Sequence, residues 1–81
     1  MPKTLRTPAH HALRSLLTER RTALDLTQAQ LASRLHRPQS FVAKYEKGER
    51  RLDVIEFCAI ARALSVEPAM LLRELVESAD L

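Results

Sequence analysis

Residues 26–50 read LTQAQLASRLHRPQSFVAKYEKGER, and this stretch decides the architecture. Thr27 stands three residues before Gln30, the spacing of a capping box. In that arrangement the hydroxyl accepts an otherwise unpaired helix amide and the glutamine side chain reaches back to the cap. Leu26 and Leu31 flank the start as a hydrophobic staple. A helix therefore opens here and runs to about Leu35. His36 and Arg37 turn the chain. Pro38 then starts a second helix that ends near Lys47, where Gly48, the only glycine in the chain, supplies a left-handed cap. Two helices joined by so short a turn must cross sharply, which is the geometry of a helix-turn-helix. Ala32 is small where they meet closely. Val42 and Tyr45, three apart, turn toward the core and leave Gln39, Ser40, Ala43, Lys44 and Lys47 mostly outward.

The flanks read as further short helices. Residues 1–7 form an N-terminal arm, and Thr7 followed by Pro8 is a hydroxyl cap with proline at the first helical position. The first helix runs from about Pro8 to Leu24, with Leu13, Leu16, Leu17 and Leu24 on one face, and Asp25 takes a tight left-handed position after it. Asp53 and Glu56 make a second capping box, before a stripe of Val54, Phe57, Cys58, Ala61 and Leu64. Ile55 falls off that stripe. A fifth helix starts at Pro68 and carries Met70, Leu71, Leu72, Leu75 and Val76. The expectation is an all-α fold, a compact five-helix bundle forming a single domain over residues 8–81.

Composition narrows the function classes. A chain of 81 residues has room for one small domain. Apolar runs such as Phe57–Ala61 fall far short of the ~20 residues that span a bilayer. The N-terminus MPKTLRTPAHH lacks the apolar core of a secretory signal. One cysteine cannot form an internal disulfide, which fits a reducing, cytoplasmic compartment. Cys58, on an apolar stripe, reads as a buried and inert thiol. No metal site is expected: His10 and His11 are adjacent and point to different helix faces, and His36 has no partner at ligand spacing. No catalytic triad spacing, glycine-rich phosphate loop or paired carboxylates point to an enzyme. Charge is divided along the chain. Residues 1–52 carry 11 Lys/Arg against 4 Asp/Glu, and residues 53–81 carry 2 against 6. A basic front and an acidic back suggest one face meant for a polyanion.

LTQAQLASRL, PQSFVAKYEKGER and IARALSV in combination resemble the phage-repressor-like helix-turn-helix regulators, the xenobiotic-response-element (XRE) family, over about Leu13 to Leu72. The resemblance implies a lambda-repressor-like five-helix bundle, with the helix-turn-helix at helices 2 and 3, that binds double-stranded operator DNA as a homodimer without a cofactor. It also implies roles for particular residues. Gln28 matches a glutamine that holds a DNA phosphate, at a helix N-terminus that favours an anion. Gln39 matches a reader of adenine, and Ser40 and Lys44 match the other base-reading positions, a lysine favouring guanine. Lys47 and Arg50, in and after the end of the reading helix, match the segment that clamps the backbone. Arg21 and Glu46 match a structural pair that ties helix 1 to helix 3.

Two departures concern the turn. His36 stands where the family usually has glycine, and so is expected at positive φ. Pro38 replaces the usual Ser/Thr cap. Leu71, Leu72, Leu75 and Val76 exceed the apolar surface one terminal helix needs, so part of it is expected to form a dimer interface. The function implied is a sequence-specific transcriptional regulator, a repressor acting in the cytoplasm at the nucleoid. The alternatives are an antitoxin or restriction–modification controller acting with a toxin or other protein partner, and a protein-interaction module that has kept the fold.

Overall fold

A computed structural model describes residues 7–81, so the arm expected over residues 1–7 lies, apart from Thr7, outside the described residues. The elements are α1 (Pro8–Ala23), α2 (Gln28–Leu35), α3 (Gln39–Lys47), α4 (Val54–Ala63) and α5 (Pro68–Ala79), with no strand among the described residues.

Side-chain caps set most of the helix starts. The Thr7 hydroxyl accepts the His10 amide at 3.2 Å. The Thr27 hydroxyl accepts the Gln30 amide at 3.0 Å while Gln30 Oε1 accepts the Thr27 amide at 2.9 Å. Asp53 and Glu56 repeat the exchange at 2.7 and 3.0 Å. Glu67 caps α5 by accepting the Met70 amide at 3.0 Å, a role its sequence context did not signal. Pro38 caps α3 with no side-chain hydrogen bond. Asp25 and His36 adopt the expected left-handed conformation, with φ of 57° and 56°, as does Ser65 at 61°. Gly48 ends α3 at φ 81°, and a β-carbon there would lie 2.5 Å from the Arg14 guanidinium. For an L-residue the left-handed region costs roughly 1–2 kcal/mol, which the joints at His36 and Ser65 carry without a glycine.

The core is built from all five helices. Leu17, Leu31, Val42, Tyr45, Ile60 and Leu71 are its largest fully buried side chains. α1 packs on α3 and α5, α2 on α3 and α4, and α4 on α5. Polar ties close the outside: Arg20 pairs with Glu74 between α1 and α5, and Arg34 Nη1 donates to the Ala63 carbonyl at the end of α4 at 2.9 Å. These two arginines therefore tie helices to one another.

Four sequence expectations need correction. Leu24 is 45 % exposed, because it is the C-terminal cap of α1 and lies past the last turn that faces the core. The α4 stripe starts one turn later than expected. Val54 is 74 % exposed at the first helical position, whereas Ile60 is fully buried. The inward line is Phe57, Ile60, Ala61 and Leu64, which has the i, i+3, i+4, i+7 spacing of a helix face. Cys58 beside that line is only partly buried. Finally, Leu71 and Leu75 lie in the core of this chain and cannot offer surface to a second copy, while Leu72 and Val76 remain 49 % and 38 % exposed. The excess apolar surface of α5 is therefore smaller than the sequence suggested.

Candidate nucleic-acid interface

α3 presents two unlike faces. Phe41, Val42 and Tyr45 are buried, and Gln39, Ser40, Lys44 and Lys47 are exposed. The split follows from 100° per residue: the buried set clamps the helix to the core and leaves a polar strip one turn and more long. Phe41 belongs to the buried side, its ring edge-on to Tyr45 with centroids 5.4 Å apart. The Tyr45 hydroxyl is buried without a hydrogen-bond partner among the described residues, and burial, with Glu46 nearby, pushes its pKa above the ordinary 10.0. A neutral phenol is the form this site holds.

The polar strip is anchored by a nearly buried network. Glu46 accepts from Arg21 Nε at 2.8 Å and Nη2 at 3.1 Å, the two-pronged geometry of a strong ion pair. Arg21 Nη1 donates to the Leu26 carbonyl at 2.7 Å, and Gln28 Nε2 donates to Glu46 Oε1 at 2.9 Å. One carboxylate on α3 is thus fastened to α1, to the α1–α2 joint and to the start of α2. Gln39 Nε2 reaches Gln28 Oε1 at a long 3.5 Å. The Gln28 side chain is therefore engaged inside the protein. Beside it lies the α2 N-terminus, with its partial positive charge.

Downstream of α3, Arg50 grips Glu56 with Nη1 and Nη2 at 2.9 and 2.8 Å, and Nη1 also donates to the Arg51 carbonyl at 2.7 Å. These bonds, chiefly those from Arg50, hold the Glu56 carboxyl below the ordinary glutamate range. The same contact raises the pKa of Arg50. Arg37, from the α2–α3 turn, approaches Glu56 at 3.6 Å. Both guanidinium groups lie over the Phe41 ring, 4.1 Å from its centroid for Arg37 and 4.8 Å for Arg50. A surface groove runs beside them, lined by Arg37, Ser40, Lys44 and Arg50 among others. Of the sequence-derived candidates, Ser40, Lys44 and Arg50 share this groove, Gln28 and Gln39 meet at the other end of the network, and Lys47 is exposed apart from both. Arg37 and Glu56 escaped the sequence reading. The D-x-x-E spacing marked Glu56 only as a cap, and nothing local linked it to residues 37 and 50.

Among the described residues no group of three His, Cys, Asp or Glu side chains is placed to hold a metal ion, and no helix is long and apolar enough to cross a membrane.

A family model described as Helix-turn-helix matches residues 17–71. No curated protein sequence matches the chain. Among solved structures, the chain is similar to an XRE-family like protein from Pseudomonas syringae pv. tomato, at 49 % identity over 93 % of this chain and 92 % of that one, with a TM-score of 0.84. It is also similar to the restriction-modification controller protein C.AhdI from Aeromonas hydrophila, at 30 % identity over 88 % of this chain and 99 % of that one, with a TM-score of 0.69.

Proposed function

This chain belongs to the XRE-type helix-turn-helix family of DNA-binding regulators, and we propose that it is a sequence-specific repressor that binds a palindromic operator as a homodimer. The observation that carries this is the polar strip of α3: Gln39, Ser40 and Lys44 stand exposed on a helix fixed from behind by the Arg21–Glu46–Gln28 network. A helix so held enters a major groove as a rigid body. Amide and ammonium groups at its N-terminal half then meet base edges, Gln39 pairing with adenine and Lys44 with guanine. Lys47, Arg50 and the α2 N-terminus at Gln28 meet phosphates, which position the helix without reading sequence.

Size and surface support the dimer. The described residues span 30 × 29 × 21 Å. Two copies side by side therefore bring equivalent helices to a separation compatible with one DNA turn, about 34 Å. Leu72 and Val76, one turn apart on α5 and still exposed, are the part of the expected interface that a second copy would cover. Occupancy of the promoter blocks polymerase. The proposed function is binding alone, with no enzymatic step. The likeness to a restriction-modification controller supports a second reading, in which the same DNA binding controls a restriction-modification locus.

Selection of bound fragments from sheared genomic DNA at fixed, near-physiological salt tests the proposal. A palindromic motif with half-sites one turn apart is expected. Binding that is blind to sequence, or a motif without two-fold symmetry, contradicts the dimeric reader.

A further inference from the structure

The groove beside α3 holds a cluster that capping and base reading leave unexplained. Arg37 comes from the turn before α3 and Arg50 from the loop after it, yet both rest on one ring, Phe41. Two guanidinium groups repel one another. Here Glu56 faces both of them and leaves the trio with one positive charge in excess, while Lys44 and Glu49, which line the same groove, offset one another in charge. The carboxylate is the covered member: its side chain is 15 % exposed, against 41 % for Arg37 and 36 % for Arg50. The ring beneath is set by the core, being 5 % exposed and packed edge-on to Tyr45. Guanidinium groups placed in this way keep donors for an anion, and their fork geometry matches the oxygens of a phosphate. Ser40 and Lys44 line the same groove, so that anion lies next to the strip assigned to the bases.

We propose that Arg37 and Arg50 take a DNA backbone phosphate between them, and that Glu56 is the internal counter-charge which holds the two arginines in place and limits their grip. The proposal rests on the DNA-binding function proposed above. Glu56 is here a positioning residue. It fixes the guanidinium groups before DNA arrives, and it subtracts one charge from a contact that carries no sequence information. Its tie to the Asp53 amide fastens this counter-charge to the start of α4, so the clamp is referenced to the body of the bundle and not to the mobile end of a lone side chain.

The test is a salt series of binding titrations with the full chain, wild type, Arg37→Gln and Glu56→Gln, on a selected duplex and on a scrambled duplex of equal length. Glutamine at 56 keeps an acceptor for the Asp53 amide, and circular dichroism verifies that each variant is folded. Arg37→Gln is expected to weaken binding to both duplexes by the same factor and to flatten the slope of log K against log salt by up to about 0.9, the value of one whole phosphate contact, since Arg50 stays on the shared phosphate. Glu56→Gln keeps an oxygen acceptor for the guanidinium groups and removes only the opposing charge, so it is expected to tighten binding to both duplexes with a slope at least as steep as wild type, and weaker binding by this folded variant overturns the charge-limiting role. A folded Arg37→Gln variant with the wild-type slope overturns the clamp, as does an Arg37→Gln loss confined to the selected duplex. Wild-type protein that binds neither duplex overturns the DNA-binding function itself, and the clamp with it.

Discussion

α2–α3 and α4–α5 are two helix pairs built alike. Each starts on a side-chain capping box, Thr27 with Gln30 in one and Asp53 with Glu56 in the other. Each turns through a left-handed residue that is not glycine, His36 in one and Ser65 in the other. Their outer surfaces nevertheless differ. The first pair shows solvent Gln39, Ser40, Lys44 and Lys47. The second shows Val54, Ile55, Met70, Leu72 and Val76. Identical local rules thus leave a polar strip outside one pair and, outside the other, exposed aliphatic side chains set among charged ones such as Arg62, Arg73 and Glu77, and function follows from what is left outside. A polar, basic strip on a fixed helix suits base edges and phosphates, while scattered aliphatic groups suit a protein surface or none.

The comparison can be broken first at α5, where neighbouring leucines have opposite environments. Leu71 is fully buried and Leu72 is 49 % exposed. Leu71→Ala should lower unfolding free energy by about 2–5 kcal/mol, and Leu72→Ala by no more than about 0.5 kcal/mol in the monomer. Urea unfolding at low protein concentration measures both, and equal losses would mean that the burial of α5 is wrongly described. In the α2–α3 half the comparable weak point is polar. Glu46→Ala leaves Arg21, 12 % exposed, without its carboxylate and should cost about 3 kcal/mol, the low end for a buried pair, since removing one partner leaves the other uncompensated. The same denaturation series tests it.

The two turns sharpen the likeness rather than the contrast. His36→Gly and Ser65→Gly should each raise stability by about 1 kcal/mol, because both relieve an L-residue held at positive φ. A gain at only one of them would show that the other residue is held by contacts of its own. The smallest effect is one of pH. Tyr45 is the only tyrosine, and its hydroxyl has a raised pKa in the folded chain, chiefly from burial. The unfolded chain releases that proton near the ordinary value of 10.0 and the folded chain does not. The stability contribution is therefore complete below pH 10 and lost progressively as pH rises above it. Tyr45→Phe should show a shallower alkaline decline than wild type in melting curves between about pH 9 and 11, and identical declines would contradict the burial of a neutral phenol.

The sequence made the joints legible because caps and turns are local. Thr27 with Gln30, Asp53 with Glu56, Asp25 and Gly48 all announce themselves within four residues, and the chain obeys them, whereas positive φ at His36 was expected only from the family resemblance. The division of α3 into buried and exposed faces was legible for the same reason. Burial in α4 was not. Val54 and Ile60 are both β-branched aliphatics on one helix, and only the packing of α2 and α5 against α4 decides that Ile60 goes inside and Val54 stays out. The arginine cluster was illegible in the same way. Arg37, Arg50 and Glu56 become neighbours only when the turn before α3 folds against the loop after it.

The most direct measurement is to repeat the genomic fragment selection with Lys44→Ala beside the wild type. If α3 reads bases through its exposed strip, the wild type yields a two-fold symmetric motif. The variant keeps every position but one in each half-site, with affinity for the wild-type motif reduced by about 1–3 kcal/mol. An unchanged motif at unchanged affinity would contradict base reading by Lys44 and remove the main support for α3 as the reading helix.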